Sequence, residues 1–171
     1  MKKVLVHFLI KEHHNGKDFN VSTELIYDRY DLEDRKVIDT LKKVKTIALI
    51  GASSKPARDS YKVMAFLMNE GYQVFPINPL LAGTTILGQK VYGCLGDVPI
   101  PIDMLDVFRQ SKYLYNIVVE AKQANIFYIW TQLGVTEAKA ELLALESGIT
   151  MIINRCPAIE IPRLKLSLYV D

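Results

Sequence analysis

Two patterns of apolar residues follow each other in turn along residues 46–155. Short runs that are apolar at nearly every position are typical of strands buried on both faces of a parallel sheet. Longer stretches, in which apolar residues recur every three or four positions, predict amphipathic helices. The predicted strands are 46–50, 72–75, 104–108, 126–130 and 149–153, and the predicted helices are 60–70, 111–125 and 136–147.

This β-α-β order predicts an α/β fold with a doubly wound, mainly parallel sheet and helices on both sides. Ser111 and Thr136 are the predicted N-caps of two helices, and Gly71 and Gly148 mark helix ends. Ligands of such sheets bind at the carboxyl ends of the strands, where the winding reverses. The functional loops are therefore expected after residues 50, 75, 108, 130 and 153.

The two flanks of this region follow other patterns. Residues 31–44 read as one amphipathic helix capped by Asp31, and His13-His14-Asn15-Gly16 lies between two apolar stretches, which is a hairpin signal. Apolar residues alternate with polar ones over 164–170, with a period of two. We expect terminal strands that pair with each other or, in a homodimer, with a second subunit; the alternative is a frayed tail.

Composition narrows the function classes. The chain has 171 residues, half of them hydrophobic, which fits one globular domain. Its 21 Lys and Arg nearly balance 19 Asp and Glu, which argues against a nucleic-acid surface. No apolar run is long enough to span a membrane, and the apolar stretch after Lys2 and Lys3 is short, contains His7 and lacks a cleavage site. We therefore expect a mature cytoplasmic protein.

The loop after the first strand carries the strongest functional signal. Small residues let a backbone approach a phosphate closely, and the free N–H groups of a helix start point towards it. Two hydroxyls and two cations in the same loop add donors and charge. The loop residues expected to hold a phosphate are Gly51, Ala52, Ser53, Ser54, Lys55 and Arg58. The alternative is a tight strand-to-helix turn with solvated charges.

The same loop argues against NAD as the ligand. A dinucleotide fingerprint reads G-x-G-x-x-G, with an acidic residue at the end of the second strand for the ribose hydroxyls. Here Ser53 replaces the second glycine, and the second strand ends without an acid. A ligand with an extra ribose phosphate would not need that acid, so NADP and coenzyme A (CoA) both remain open.

Pro76 follows the second predicted strand directly. Proline cannot donate to a sheet ladder and is unexpected in a central strand. We therefore predict that the strand leaves the sheet near Phe75 and that Asn78 and Pro79 line the ligand site. The alternative is an ordinary loop start.

Taken together, these stretches resemble the small CoA-binding domain proteins, whose fold is that of the nucleotide-binding domain of the succinyl-CoA synthetase alpha chain. The resemblance covers about residues 36–164. The matching residues are 47–53, Lys55, Pro56, Arg58, Ser60, 71–74, 76–79, Gly88, Val98, Pro99, 103–109, 130–135, 155–157 and Glu160. Each stretch alone is weak, but their common order is specific.

The resemblance implies one Rossmann-like CoA-binding domain over 31–171, preceded by an extension over 1–30. It also implies that the Gly51–Arg58 loop holds phosphates. Beyond that loop, the residues implied to line the nucleotide and pantetheine path are Asn78, Pro79, Phe108, Arg109, Trp130 and Gln132. The phosphohistidine of the full synthetase lies outside the matching region, and the three histidines of this chain all precede residue 15.

Other candidates for chemistry have plain structural interpretations. Cys156 and Cys94 could form a mixed disulfide with a CoA thiol, although Cys156 reads more simply as a small buried side chain. Asp103 and Asp106 could act as a carboxylate pair for acid–base chemistry. Alternatively, Asp103 begins a strand, and Asp106 is a polar position within that strand or contacts a ligand at its end. Trp130 fits a core position as well as a ligand platform. No metal-ligand spacing occurs, and residues 46–155 contain no histidine base.

Three functions follow from these observations. The favoured one is non-catalytic binding of CoA or acyl-CoA, with a small molecule as the partner and no nucleic acid or membrane. The alternative is an enzyme, either an NADP-linked oxidoreductase or a subunit of an acyl-CoA ligase. A redox-sensing regulator is disfavoured because residues 1–44 carry nine Lys and Arg against eight Asp and Glu, too neutral for a DNA-reading head.

Overall fold

The computed structural model describes residues 30–166. By its internal contacts the chain divides into two units, Met1–Asp31 and Leu32–Asp171. The predicted N-terminal hairpin lies outside the described residues, as does most of the predicted C-terminal strand, so the terminal pairing and the homodimer stay predictions. The account below concerns the second unit.

That unit is built from alternating helices and strands. Its helices are α1 (Leu32–Lys43), α2 (Asp59–Asn69), α3 (Leu114–Gln123), α4 (Ala138–Glu146) and α5 (Pro157–Arg163). Its strands are β1 (Thr46–Ile50), β2 (Gln73–Ile77), β3 (Thr85–Ile86), β4 (Gln89–Lys90), β5 (Met104–Val107), β6 (Tyr128–Thr131) and β7 (Thr150–Ile152). Three 3₁₀ turns lie at Pro79–Leu81, Leu95–Asp97 and Ser111–Tyr113.

Five strands form one parallel sheet in the order β2-β1-β5-β6-β7, and β3 and β4 form a small antiparallel hairpin. Helices α3 and α4 pack together on one face, over a core that includes Ala48, Leu105 and Ile129. Helix α2 packs with α5. Side chains alternate along each strand, so Leu49 and Asp106 point to the face opposite Ala48 and Leu105. The doubly wound α/β prediction is confirmed.

The prediction that the second strand leaves the sheet near Phe75 is wrong. The strand continues to Ile77, and Pro76 is paired with Leu49 of β1. The reason is that β2 is the edge strand. The Gln73 N–H and the Ile77 C=O point towards β1 and the residues that flank it. Because the backbone groups of successive residues in a strand point to opposite sides, those of Pro76 point away from β1. The N–H that proline lacks is therefore not needed for a hydrogen bond within the sheet. The Pro76 carbonyl accepts from Tyr92 N–H at 2.9 Å on that outer side.

Two predicted caps are wrong because Ser111 and Thr136 form a contact with each other instead. Ser111 begins a 3₁₀ turn; its hydroxyl donates to Gly134 C=O and accepts from Thr136 N–H. Helix α4 begins two residues after Thr136, and the carboxylate of Glu137 caps it by accepting from the N–H groups of Lys139 and Ala140.

Helix α5 was not predicted, although Pro157 at its first position is a start signal. Residues 164–166, expected to open a strand, instead form the turn that ends this helix. The Arg163 guanidinium donates to the carboxylates of Glu160 and Asp34, and the Arg163 hydrogen bond holds the pKa of Asp34 below its usual value. This ion cluster ties α5 to α1 and thereby fixes one wall of the site described below.

Within residues 30–166, no helix is both long and apolar enough to cross a membrane.

Candidate functional site

The winding of the sheet reverses between β1 and β5. Strand β1 leads into α2, which packs with α5, whereas β5 leads towards α3, which packs with α4 on the other face. The segments that follow β1 and β5 therefore diverge to opposite faces at the carboxyl edge of the sheet and leave a crevice between them. Ligands of open α/β sheets bind in such a crevice.

The loop after β1 offers backbone donors to this crevice. The N–H groups of Gly51 and Ala52 are both bound to Ile77 C=O, at 3.0 and 3.2 Å, so these two residues shape the loop. Further along, five backbone N–H groups find no acceptor within residues 30–166, namely those of Ser53, Ser54, Ala57, Asp59 and Ser60. These five donors lie in the loop and in the first turn of α2, and they are the groups that an anion would use.

Gly51 allows the loop to lie directly against the chain that leaves β5. Its φ is +90°, and a Cβ added there would stand 2.8 Å from Phe108 C=O and 3.1 Å from Arg109 Cδ. Only a glycine fits this approach without a shift of backbone. The two loops that bound the crevice are thus locked to each other at this point.

Asn78 fixes the loop from its other side. Its side-chain amide donates to Ala52 C=O at 2.7 Å, and its side-chain oxygen accepts from Leu80 N–H at 2.9 Å. Both polar ends of the side chain are therefore used within the protein. Asn78 holds the loop after β1 in place, while Pro79, next along the chain, lines a small cavity at the crevice.

We expect Asn78→Ala to destabilise the protein by about 1–2 kcal/mol, because Ala52 C=O and Leu80 N–H each lose a partner. Ligand affinity should fall as well, since the loop loses its brace. Urea unfolding and calorimetric titration measure the two effects. Asn116→Ala, on α3, removes an amide outside this brace and serves as the control for stability. Unchanged stability of the Asn78 variant would contradict the bracing role.

Three cations border the crevice. Lys55 and Arg58 are exposed on the loop, and within the described part of the chain neither forms an ion pair. Arg109 follows β5, and its guanidinium lies 4.6 Å from the centre of the Tyr113 ring. Lys112 approaches the same ring at 5.0 Å. This concentration of positive charge beside free N–H groups suits a phosphate ligand.

Two cavities open on either side of Arg109, which lines both. The smaller, about 270 Å³, lies beside Gly51, Pro79 and Tyr113, with Cys94 in its wall. The larger, about 660 Å³, is enclosed by α2, α5 and the loops after β5 and β6. The residues lining the larger cavity are Asp59, Lys62, Val63, Phe108, Arg109, Gln110, Gln132, Leu133, Val135, Cys156, Ala158 and Ile159.

A buried carboxyl lies behind the larger cavity. Gln132, in the cavity wall, donates its amide N–H to Asp106 Oδ1 at 2.6 Å. Asp106 is completely buried, and its Oδ2 has no hydrogen-bond partner within residues 30–166. Burial raises the pKa of Asp106 to about 7, although the Gln132 hydrogen bond acts in the opposite direction. In the folded protein the carboxyl therefore keeps its proton up to a pH of about 7.

Trp130 does not line the crevice, contrary to the prediction. Its side chain is fully buried, and its indole N–H donates to Arg155 C=O at 2.8 Å. It supports the chain that leads from β7 into α5, one of the walls of the larger cavity. Its neighbour Gln132 does reach the cavity, because it lies just beyond the end of β6.

The other candidate residues separate into distinct places. Asp103 lies at the opposite edge of the sheet, where its carboxylate accepts from the N–H groups of Lys45 and Thr46, so it forms no pair with Asp106. Cys156 is half-buried in the wall of the larger cavity, and burial raises the pKa of its thiol. Cys94 is exposed. The raised pKa makes Cys156 a weak nucleophile.

The structure thus brings the loop residues, Asn78, Pro79, Phe108, Arg109 and Gln132 to one edge of the sheet, as predicted from the ends of the strands. Sequence reasoning missed the ring of Tyr113 and the α5 residues Ala158 and Ile159. The position of Tyr113 beside Lys112, just after the third strand of the sheet, could have indicated its role. Pro157, a helix-start signal, could have indicated the helix that carries Ala158 and Ile159.

A five-stranded parallel sheet with helices on both faces and a small-residue loop at its switch point is the architecture of a Rossmann-like α/β domain. The model of the family described as CoA binding domain matches residues 45–162, and the chain belongs to this family. The extension before residue 45 is outside the match.

Two relatives are similar to this chain over most of its length. An uncharacterized protein of Bacillus subtilis, YneT, is 31% identical over 121 residues, which cover 71% of this chain and 88% of the relative. A hypothetical protein of Pyrococcus horikoshii has a solved structure with a TM-score of 0.74 and 33% identity, covering 80% of this chain and 97% of that one.

A third relative is a far longer protein. Subunit alpha of the ADP-forming acetate–CoA ligase I of Pyrococcus furiosus is 29% identical over 93 residues. The match covers 52% of this chain and only 20% of the ligase subunit. This chain therefore corresponds to one domain-sized part of that subunit.

Proposed function

We propose that this protein binds coenzyme A, free or acylated, without catalysing a reaction of its own. The observation that carries the proposal is the loop after β1. It brings five backbone N–H groups without acceptors in the described chain, and two unpaired cations, to the switch point of a CoA-binding domain. The diphosphate of CoA supplies the negative charge that this loop lacks. Arg109 adds a third cation on the opposite side of the crevice.

The non-catalytic part rests on the chemistry of the lining. Cys156 has a raised pKa, and Asp106 is buried behind Gln132. The protein would then carry or sense its ligand, while any chemistry takes place on another protein.

A role as one subunit of an acyl-CoA ligase is the second candidate. The match to the ligase subunit of Pyrococcus furiosus favours it, because that relative is named for the reaction. The part matched is one fifth of that subunit, so the remaining parts would have to come from a partner. Co-purification with a protein that supplies ADP-forming ligase activity would distinguish this candidate from the first.

The decisive experiment is direct ligand identification. Protein purified without added ligand is denatured, and the released small molecules are analysed by mass spectrometry. The stripped protein is then titrated with CoA, acetyl-CoA, NAD and NADP by calorimetry. Binding of CoA together with no detectable binding of NAD or NADP supports the proposal. A preference for NADP would instead indicate a reductase.

Arg58→Ala should weaken CoA binding by about tenfold to a hundredfold, the effect of losing one charged phosphate contact of about 1.5–3 kcal/mol. Lys122→Ala, which removes an exposed charge from the last turn of α3, should leave the affinity unchanged. Titrations of both variants at one ionic strength measure the difference. Equal affinities would remove Arg58 from the site.

A further inference from the structure

The larger cavity has a lining unlike that of a phosphate site. Most of its wall is hydrocarbon, contributed by Val63 of α2, by Phe108, Leu133 and Val135 after two of the strands, and by Ile159 of α5. Its volume of about 660 Å³ is in the range of small-molecule sites. Such a lining offers dispersion contacts and the exclusion of water, but few hydrogen bonds.

The charged residues of the cavity lie at its mouth, next to the proposed phosphate loop. Asp59 follows Arg58 directly, Lys62 lies one turn further along α2, and both side chains are exposed to solvent. Arg109 joins this cavity to the smaller one. A ligand held at the loop by its phosphates can therefore reach into the larger cavity without leaving the crevice.

We infer that the larger cavity binds the acyl chain of an acyl-CoA, so that the ligand is a medium-chain thioester rather than free CoA. This inference rests on the proposed function, because the loop must first hold the nucleotide part. A purine ring needs hydrogen-bonding partners and a flat neighbour, which the Arg109–Tyr113 pair beside the smaller cavity supplies. Both cavities have apolar side chains in their walls, but a hydrocarbon chain also needs space, and the larger cavity offers about 660 Å³ against about 270 Å³ in the smaller one.

Two exposed apolar side chains at this cavity support the assignment. Leu133 is 61% exposed and Ile159 is 52% exposed, although both belong to the cavity lining. Large apolar side chains that stand in water beside a cavity gain free energy when a ligand covers them. An acyl chain entering from the crevice would cover both.

Affinity as a function of chain length tests the inference. Calorimetric titration of the wild-type protein with CoA and with acetyl-, butanoyl-, hexanoyl- and octanoyl-CoA should show affinity rising about fourfold for each methylene until the cavity is full. The same affinity for every compound would overturn the inference and leave the proposed function intact. Failure of all five compounds to bind would overturn both.

A charge placed in the cavity wall provides the matched variant. Ile159→Glu should weaken octanoyl-CoA at least tenfold more than it weakens free CoA, because both ligands carry the phosphates but only octanoyl-CoA carries the long acyl chain. Leu142→Glu, on α4 and 56% exposed, makes the same substitution outside the cavity and should change neither affinity. If Ile159→Glu weakened CoA and octanoyl-CoA equally, the cavity would hold a part that both ligands share, and the inference would be wrong.

Cys156 reports on the cavity independently of any change to its wall. In a Cys94→Ala background it is the sole thiol, and its alkylation by N-ethylmaleimide is followed by mass spectrometry. Octanoyl-CoA should slow the alkylation far more than acetyl-CoA at equal saturation, since only the longer chain fills the space beside Cys156. Equal protection by the two thioesters would contradict the assignment.

Discussion

The Asp106→Asn variant should lack most of the decline in stability that Asp106 is expected to cause in the wild-type protein between pH about 4 and about 7. Burial raises the pKa of Asp106 from 3.8 to about 7 in the folded protein, so the folded chain keeps a proton that the unfolded chain releases. The contribution of Asp106 to the free energy of unfolding is therefore greatest below the pKa of this residue in the unfolded chain. It decreases as the pH rises and is lost once the pH passes the pKa in the folded protein, with a slope of at most about 1.4 kcal/mol per pH unit. An asparagine at this position carries no such proton.

Urea unfolding at a series of pH values measures this effect. Relative to wild type, the variant should gain about 3 kcal/mol in the free energy of unfolding between pH about 4.5 and about 8. The Gln132 amide can still donate to the remaining side-chain oxygen, so the packing is kept. Glu146→Gln neutralises an exposed carboxyl and should follow the wild-type curve. Parallel curves for wild type and Asp106→Asn would mean that the folded protein holds Asp106 ionised.

Gly51→Ala should reduce stability by about 3 kcal/mol and abolish CoA binding at the proposed site. Part of the loss comes from backbone strain, because φ at this position is +90°. The rest comes from the collision of the new Cβ with Phe108 C=O, which would lie only 2.8 Å away. Relief of that contact must separate the two loops that bound the crevice.

Gly83→Ala separates these two causes. Its φ is +83°, but a Cβ there would meet nothing within 4 Å, so the strain is similar and the collision is absent. We expect a loss of about 1 kcal/mol and normal CoA binding. Thermal unfolding and calorimetry of both variants provide the comparison. Similar losses in the two would show that the approach of Gly51 to Phe108 is unimportant.

The sheet was predictable because its strands are continuous apolar runs separated by helices with clear periodicity. Strand β1 lies exactly where the pattern placed it, since Gly51 ends the run. The carboxyl ends of parallel strands share one edge, so the meeting of the loop with Asn78, Phe108, Arg109 and Gln132 followed from topology alone.

The remaining errors have tertiary causes. Position in the sheet decided whether Pro76 could stay in a strand, and strand order is invisible in a local pattern. Ser111 and Thr136 resemble caps, yet they bond across loops that lie more than twenty residues apart. Trp130 and Gln132 lie two positions apart near the end of β6, and only the packing shows that one is buried while the other reaches the cavity.

The outer side of β2 also bears on self-association. An edge strand with free N–H and C=O groups is a template on which another chain can add a strand, and natural proteins block such edges. Here Pro76 has no N–H to offer, and its carbonyl is already bound to Tyr92, whose own carbonyl accepts from Asn78 N–H. Intermolecular sheet growth at this edge is thereby disfavoured. The crevice between β1 and β5 is therefore only one strand away from a sheet edge that does not recruit a strand from another molecule.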